Sequence, residues 1–240
     1  MLKTKTELFF LNNGFLVIKN IRMRNEIKKA KDIFTNEFLS KFNNDPIYNR
    51  QIIKCFPEHP FIMSLFVSKF FINLIKNKLQ IKEPLRCGPL VTHFTSNNIT
   101  GNGYGLPFHQ DYPSMASSKK SIICWINLID STKSTHGIEL LSGMHKKGLL
   151  PGRQHSDGYH IKNDALKKYK ITMPHIKAGD ILIMSPFLPH RTYVNQNFTG
   201  WKLSLSQRFD DFSDTNWAKN GFKNAYRIEV DRNLYKKINK

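Results

Sequence analysis

The stretch "DILIMSPFLPHRTYVN", residues 180–195, is an apolar run of strand length closed by proline, then a histidine and a second short β-prone run. Runs of four to eight such residues bounded by Gly, Pro, Asn or Asp mark a β sandwich or barrel, whereas a helix needs ten or more. The same texture extends in both directions. "GPLVTHFTS" (88–96), "SIICWINLID" (121–130) and "IELLSG" (138–143) precede it, and "WKLSLSQRFDD" (201–211) follows. A sandwich or barrel whose core begins near residue 84 is expected.

Upstream the pattern changes. "GFLVIKN" (14–20) follows an Asn-Gly turn signal and reads as a strand. Residues 25–42 repeat apolar positions at three and four with charges between, the pattern of a surface helix. A second helix is expected to open after His59, with Pro60 in a tolerated first-turn position, and to run to about Lys78. Residues 146–177 are polar, with Gly, His and Lys and no clear periodicity, and read as a long loop. Without repeats or a linker-like change of composition, the chain reads as one domain over 1–240. It comprises an N-terminal strand and helices (about 1–83), a β core (about 84–211) and a tail (212–240) that closes over the barrel mouth or packs on its side.

At 240 residues with 40% apolar and 12% aromatic content, the chain can bury a sizeable core. Lys and Arg outnumber Asp and Glu 37 to 18, a net charge of +19, which favours anionic partners. The cations are spread along the chain rather than gathered into an arm with interleaved aromatics, so a solvated cationic surface is the stronger reading and nucleic acid the weaker. Cys55, Cys87 and Cys124 match neither a disulfide framework nor a zinc spacing, which suggests a reducing compartment. The longest apolar stretch, "PFIMSLFVSKFFINLI", is interrupted by polar residues at helical spacing. No membrane span is expected, and a cytoplasmic location is.

The chemistry concentrates in "LPFHQDYP" (106–113). In extended chain, side chains two apart share a face, so His109 and Asp111 can aim a nitrogen and an oxygen at one metal ion. Alone this is a weak signal, because a hydrogen-bonded core histidine is the commoner outcome. His190, 79 residues beyond Asp111 and directly after an apolar strand, strengthens it. Two histidines and a carboxylate on a β scaffold form the facial triad of non-haem Fe(II) oxygenases, with coordination positions left open. On "WKLSLSQRF", strand alternation puts Lys202, Ser204, Ser206 and Arg208 on one face. A cation there suits the far carboxylate of an oxo-acid co-substrate, although in so basic a chain both cations could equally be exposed. His93, His136, His155, His160 and His175 show no second metal spacing and are expected in core or solvated roles, with His155 and His160 placed to touch substrate.

The succession "PFHQDYPSM…CWINLID…GIELLSGMHKKGLLP", "AGDILIMSPFLPHRT" and "KLSLSQRFDD" resembles the phytanoyl-CoA dioxygenase family of Fe(II)- and 2-oxoglutarate-dependent oxygenases, from "NNGFLVIKN" to about Asp211. The resemblance implies a double-stranded β-helix, a cupin-like jelly roll. It implies His109, Asp111 and His190 as catalytic iron ligands, Fe(II) as metal, and 2-oxoglutarate and O2 as co-substrates. It places Trp125, Thr192 and Gln110 around 2-oxoglutarate, Thr192 lending a hydroxyl to a carboxylate, although strict alternation would turn Gln110 away from the metal. Where the family usually carries an Arg, about eleven residues past the distal histidine, this chain has Trp201 and Lys202; Lys202 is the expected carboxylate anchor and Arg208 the other candidate. His145, in the turn "SGMH" with Met144 where the family has Ser, is expected to be structural.

The implied reaction is hydroxylation of an unactivated C–H bond of a small organic substrate, with succinate and CO2 released. The charge favours an anionic substrate, for example one linked to CoA, phosphate or sugar. Two alternatives stay open: a cupin-like metal protein without 2-oxoglutarate chemistry, and a nucleic-acid-directed oxygenase.

Overall fold

The computed structural model describes residues 4–19, 22–79, 81–97, 105–115, 118–155, 158–162, 166 and 169–219. Most of the tail, from residue 220 on, lies outside them. Helix α1 (Lys5–Asn13) opens on a capping box in which the Thr4 hydroxyl accepts from the Glu7 N–H and the Glu7 carboxylate accepts from the Thr4 N–H. It stops at Gly14, whose φ of 77° is a left-handed cap, and the chain enters strand β1 (Phe15–Ile18). Helix α2 (Arg24–Ile33) buries Ile27, Ala30 and Ile33, and a wide turn (Phe34–Phe38) and a tight one (Leu39–Lys41) carry it to the expected end. Helix α3 (Pro46–Cys55), which the sequence reading did not anticipate, is capped by Asp45.

The single helix expected from Pro60 to Lys78 is two, α4 (Pro60–Val67) and α5 (Lys69–Leu79). Ser68 takes an extended ψ of 145° between them, and its hydroxyl accepts from the Phe71 N–H as an N-cap. Serine competes with the helix ladder through such local bonds, so the break is written in a residue that periodicity alone passes over.

The remaining elements are β2 (Pro84–Ser96), β3 (His109–Gln110), α6 (Tyr112–Met115), β4 (Ile122–Asn127), β5 (Gly137–Leu140), β6 (Gly152–His155), β7 (Gly158–Ile161), β8 (Ile181–Met184), β9 (His190–Tyr193), β10 (Trp201–Asp211) and α7 (Asn216–Lys219). They build two five-stranded antiparallel sheets, ordered β1-β8-β4-β10-β2 and β5-β9-β3-β7-β6. This is the expected jelly roll with flanking helices. The stretch 146–177 departs from the loop reading: it contains the β6–β7 hairpin, and Thr172 and Ile176 form bridges to Leu140 and Ser131. The hairpin escaped notice because β6 is an edge strand with exposed polar side chains and no apolar alternation.

Strand alternation sorts the core into two layers. Ile122, Cys124, Ile126, Leu203, Leu205 and Phe209 pack outward against the helical layer, where Phe34, Phe56, Phe66 and Phe71 are almost wholly buried. At about 1.5–3 kcal/mol for each large side chain buried, this layer anchors one sheet and leaves its other face to define the interior. Ile123, Trp125, Leu182 and Met184 point inward to meet Ile138, Leu140 and Leu188 of the second sheet. No helix among the described residues is long and apolar enough to cross a membrane.

Candidate metal centre

Strands β3 and β9 are neighbours in the second sheet, and His109 pairs directly with His190. Residues paired in this way project from the same face, and the two rings lie with centroids 4.1 Å apart. Asp111 follows β3 where the chain turns into α6, and the Tyr112 N–H donates to the Pro186 carbonyl. One ligand atom each from His109, Asp111 and His190 lies within 4.8 Å of the others, and all three residues are buried.

The donor set suits a metal. The Nδ1 atom of His109 is 2.8 Å from the Pro107 carbonyl, and that of His190 is 2.9 Å from the Leu188 carbonyl. A carbonyl only accepts, so each Nδ1 carries a proton and Nε2 is the nitrogen through which each ring would bind an ion. Burial, and then the neighbouring His109 ring, push His190 down to about 4, so it is neutral at neutral pH. Burial works to raise the Asp111 carboxyl, but the Arg208 guanidinium, aided by both imidazoles, overrides it and holds the group well below the usual carboxylate range. The result is two imidazoles that turn Nε2 to the site and one anionic oxygen, a set with three open positions when an ion is bound.

Arg208 occupies a different role from the co-substrate contact considered for it. Its Nη2 donates to Asp111 Oδ2 at 2.9 Å and its Nη1 to Ser206 Oγ at 3.3 Å, with the guanidinium buried. That leaves Oδ1 of Asp111 on the His109 side, 3.5 Å from Nε2. The register of β10 against β2 shifts between Ser206 and Arg208, and Gly88 on β2 has a φ of 72°. Such bulges re-aim side chains.

Removing one partner of a buried ion pair costs about 3–5 kcal/mol. Arg208→Met is therefore expected to destabilise the metal-free protein by that order near pH 7. The folded carboxyl of Asp111 sits below its unfolded value of about 3.9, so the stabilisation is complete above that pH and is lost as pH falls through the folded value. Thermal unfolding should show a gap between wild type and variant that narrows only in strong acid, and Asp111→Asn added to Arg208→Met should recover much of the loss.

Other expected site residues sit as follows. Lys202 is buried on the inner face of β10, its Nζ 5.0 Å from the Trp125 ring centroid and 3.3 Å from the Gly137 carbonyl. Burial pushes its ammonium down to about 7. Trp125 donates its indole N–H to Asn127. Thr192 lies two residues past His190 on β9, and its hydroxyl accepts from the Leu106 N–H at 3.3 Å. Gln110 is turned elsewhere: it donates to the Gly148 and Phe187 carbonyls and accepts from the Leu150 N–H, so both ends of its amide clamp backbone. This corrects its assignment to the co-substrate, and strand alternation is the reason. His145 is held by the Leu11 carbonyl, a structural role.

His93, expected in a core or solvated role, stands beside Trp125. Its ring stacks on Trp125 at 4.1 Å, its Nε2 lies 2.8 Å from Ser206 Oγ, and burial, Arg208 and Lys202 push its pKa down. Leu90 and Phe94 face the helical core, so alternation along "LVTHF" was the available signal that His93 faces inward.

A jelly roll that brings two imidazoles and a carboxylate together as one facial donor set has the architecture of the non-haem iron oxygenases that use 2-oxoglutarate. The chain belongs to the phytanoyl-CoA dioxygenase family, whose model it matches over residues 10–199. A curated relative, the 1-deoxypentalenic acid 11-beta-hydroxylase of Streptomyces arenae, is 24% identical over 117 residues, 45% of this chain. That match spans only 41% of the relative. Among solved structures, the apo form of the non-heme monooxygenase ThoJ superposes with a TM-score of 0.66 at 15% identity, covering 86% of this chain and 77% of the other. EctD from S. alaskensis with 2-oxoglutarate and 5-hydroxyectoine gives a TM-score of 0.66 at 12% identity, covering 88% and 77%.

Proposed function

We propose that the protein is an Fe(II)- and 2-oxoglutarate-dependent dioxygenase, one domain throughout, that hydroxylates an unactivated C–H bond of a small organic substrate and releases succinate and CO2. The observation that carries this is the buried His109–Asp111–His190 set, with both histidines locked as Nε2 donors and the carboxylate held anionic. Family membership and the hydroxylase relative support the same reading. Bound iron supplies the oxidising chemistry; the protein aims the substrate and keeps water out.

Each residue has a task in this scheme. His109, Asp111 and His190 hold the ion, and Arg208 restricts Asp111 to one ligating oxygen. Asp111 also fills a position that a halide would need, which favours hydroxylation over halogenation. Lys202 receives the far carboxylate of 2-oxoglutarate, Trp125 lines its path, and Thr192 offers a hydroxyl to the same carboxylate. His93, neutral and stacked on Trp125, fixes the ring that walls this pocket.

The test is direct. Protein loaded anaerobically with Fe(II) should develop a weak visible charge-transfer band on titration with 2-oxoglutarate. In air it should form succinate in the presence of Fe(II) and a suitable substrate, and not with Zn(II) in its place. Metal-loaded protein with no affinity for 2-oxoglutarate would sink the proposal.

A further inference from the structure

We propose that the β6–β7 hairpin is a subsite for an anionic group of the primary substrate, a carboxylate or a phosphate, built by Arg153 and His155 and joined through His160 to the metal centre. What that substrate undergoes there rests on the oxygenase reading above. The presence of the subsite does not.

Four strands set the geometry. Arg153 pairs with His160, His160 with His109, and His109 with His190. Directly paired residues project from one face with Cβ atoms about 4.5–5.5 Å apart, so the four side chains form one row across the inner face of the sheet. His160 stands one strand from a metal ligand, and Arg153 two strands away, about 10 Å at ordinary strand spacing. His155, two residues from Arg153 and hence on the same face, stacks on His160 with ring centroids 4.3 Å apart and planes at 16°.

Exposure follows the row. Arg153 and His155 are exposed on the edge strand, His160 is half-buried, and His109 and His190 are only 6% and 3% exposed. The row therefore leads from solvent to the metal centre. Gly158 keeps its inner part open: among the described residues, a Cβ there would meet no atom nearer than the His109 ring, at 4.0 Å.

The chemistry of the row selects an anion. A guanidinium offers a planar fork that matches carboxylate and phosphate, and the exposed His155 imidazole offers a ring N–H. Neither β6 nor β7 carries an acidic residue; Asp157, in the turn between them, lies outside the described residues, and among the described residues no carboxylate pairs with Arg153. Lys202 lies on β10, in the other sheet, so an anion at the hairpin and the far carboxylate of 2-oxoglutarate occupy different walls. A substrate tethered at Arg153 extends about 10 Å inward to present a C–H bond to the metal.

Calorimetric titration of the Zn(II)- and 2-oxoglutarate-loaded protein with inorganic phosphate, and separately with acetate, tests this. At least one should bind with millimolar affinity, and the better of the two names the group. Arg153→Gln, exposed on an edge strand and harmless to folding, should weaken that binding about tenfold or more, and His155→Gln about threefold to tenfold. Affinity for 2-oxoglutarate should not change in either variant. Binding of neither anion, unaltered binding in both variants, or displacement of 2-oxoglutarate by the anion would overturn the proposal. If the wild type takes up no metal or 2-oxoglutarate, the oxygenase reading fails, and the same titration on unloaded protein still decides the hairpin.

Discussion

Asp111→Ala is expected to abolish 2-oxoglutarate turnover, with succinate formation falling at least about a thousandfold, and to weaken metal binding by more than about a hundredfold. Loss of a mere outer partner of a metal ligand costs about 10–100-fold in affinity, and Asp111 is proposed as a ligand itself. The variant removes the one anionic donor of the set and leaves the buried Arg208 cation facing the metal, so electrostatics oppose ion binding as well as coordination. Competition with a chromogenic chelator and a succinate assay read the two effects separately. Retained turnover would refute the metal assignment. A variant that binds metal as tightly as wild type would show that Asp111 serves only as the partner of Arg208.

The parts of this site that were legible in the sequence are those whose chemistry demands particular residue types. His109, Asp111 and His190 stand out because few other side chains bind iron and because each lies beside a readable strand signal. The β-rich runs from residue 84 were legible for a similar reason, since β4 and β8 are short apolar runs and β10 alternates outward Leu203 and Leu205 with inward polar residues. What stayed hidden depends on register between distant strands. Arg208 meets Asp111 across 97 residues through a register shift in β10, which no local pattern encodes. His160 joins the row to the metal only through pairing with His109, and its hairpin is polar and at a sheet edge. Gln110 sits between His109 and Asp111, yet its amide clamps backbone away from them, because a single step along a strand reverses the face.

Lys202 yields the other large effect, one that runs in opposite directions for stability and for binding. The side chain is buried with a carbonyl and an indole face for company, and its nearby titratable neighbours, His93 and His136, are both held neutral by burial at neutral pH. Burial brings its pKa down to about 7, below the unfolded value of about 10.4. Protonation thus favours the unfolded chain, and the empty protein loses stability as pH falls from about 10 to about 7. Lys202→Met removes that cost, so the empty variant should melt higher than wild type at pH 7. Its affinity for 2-oxoglutarate should fall about a hundredfold or more, because a buried carboxylate loses its counter-ion. With Lys202 as the proposed anchor in its charged form, wild-type affinity should be level below about pH 7 and drop about tenfold per unit above it, where binding takes up one proton. Lys202→Arg, charged at every relevant pH, should bind with no such slope. Calorimetry in buffers of different ionisation enthalpy counts the proton. A wild-type affinity independent of pH from 6 to 9 would show that the carboxylate is anchored elsewhere, and the simultaneous gain in stability and loss of binding in Lys202→Met separates an anchor from a residue that merely supports the fold.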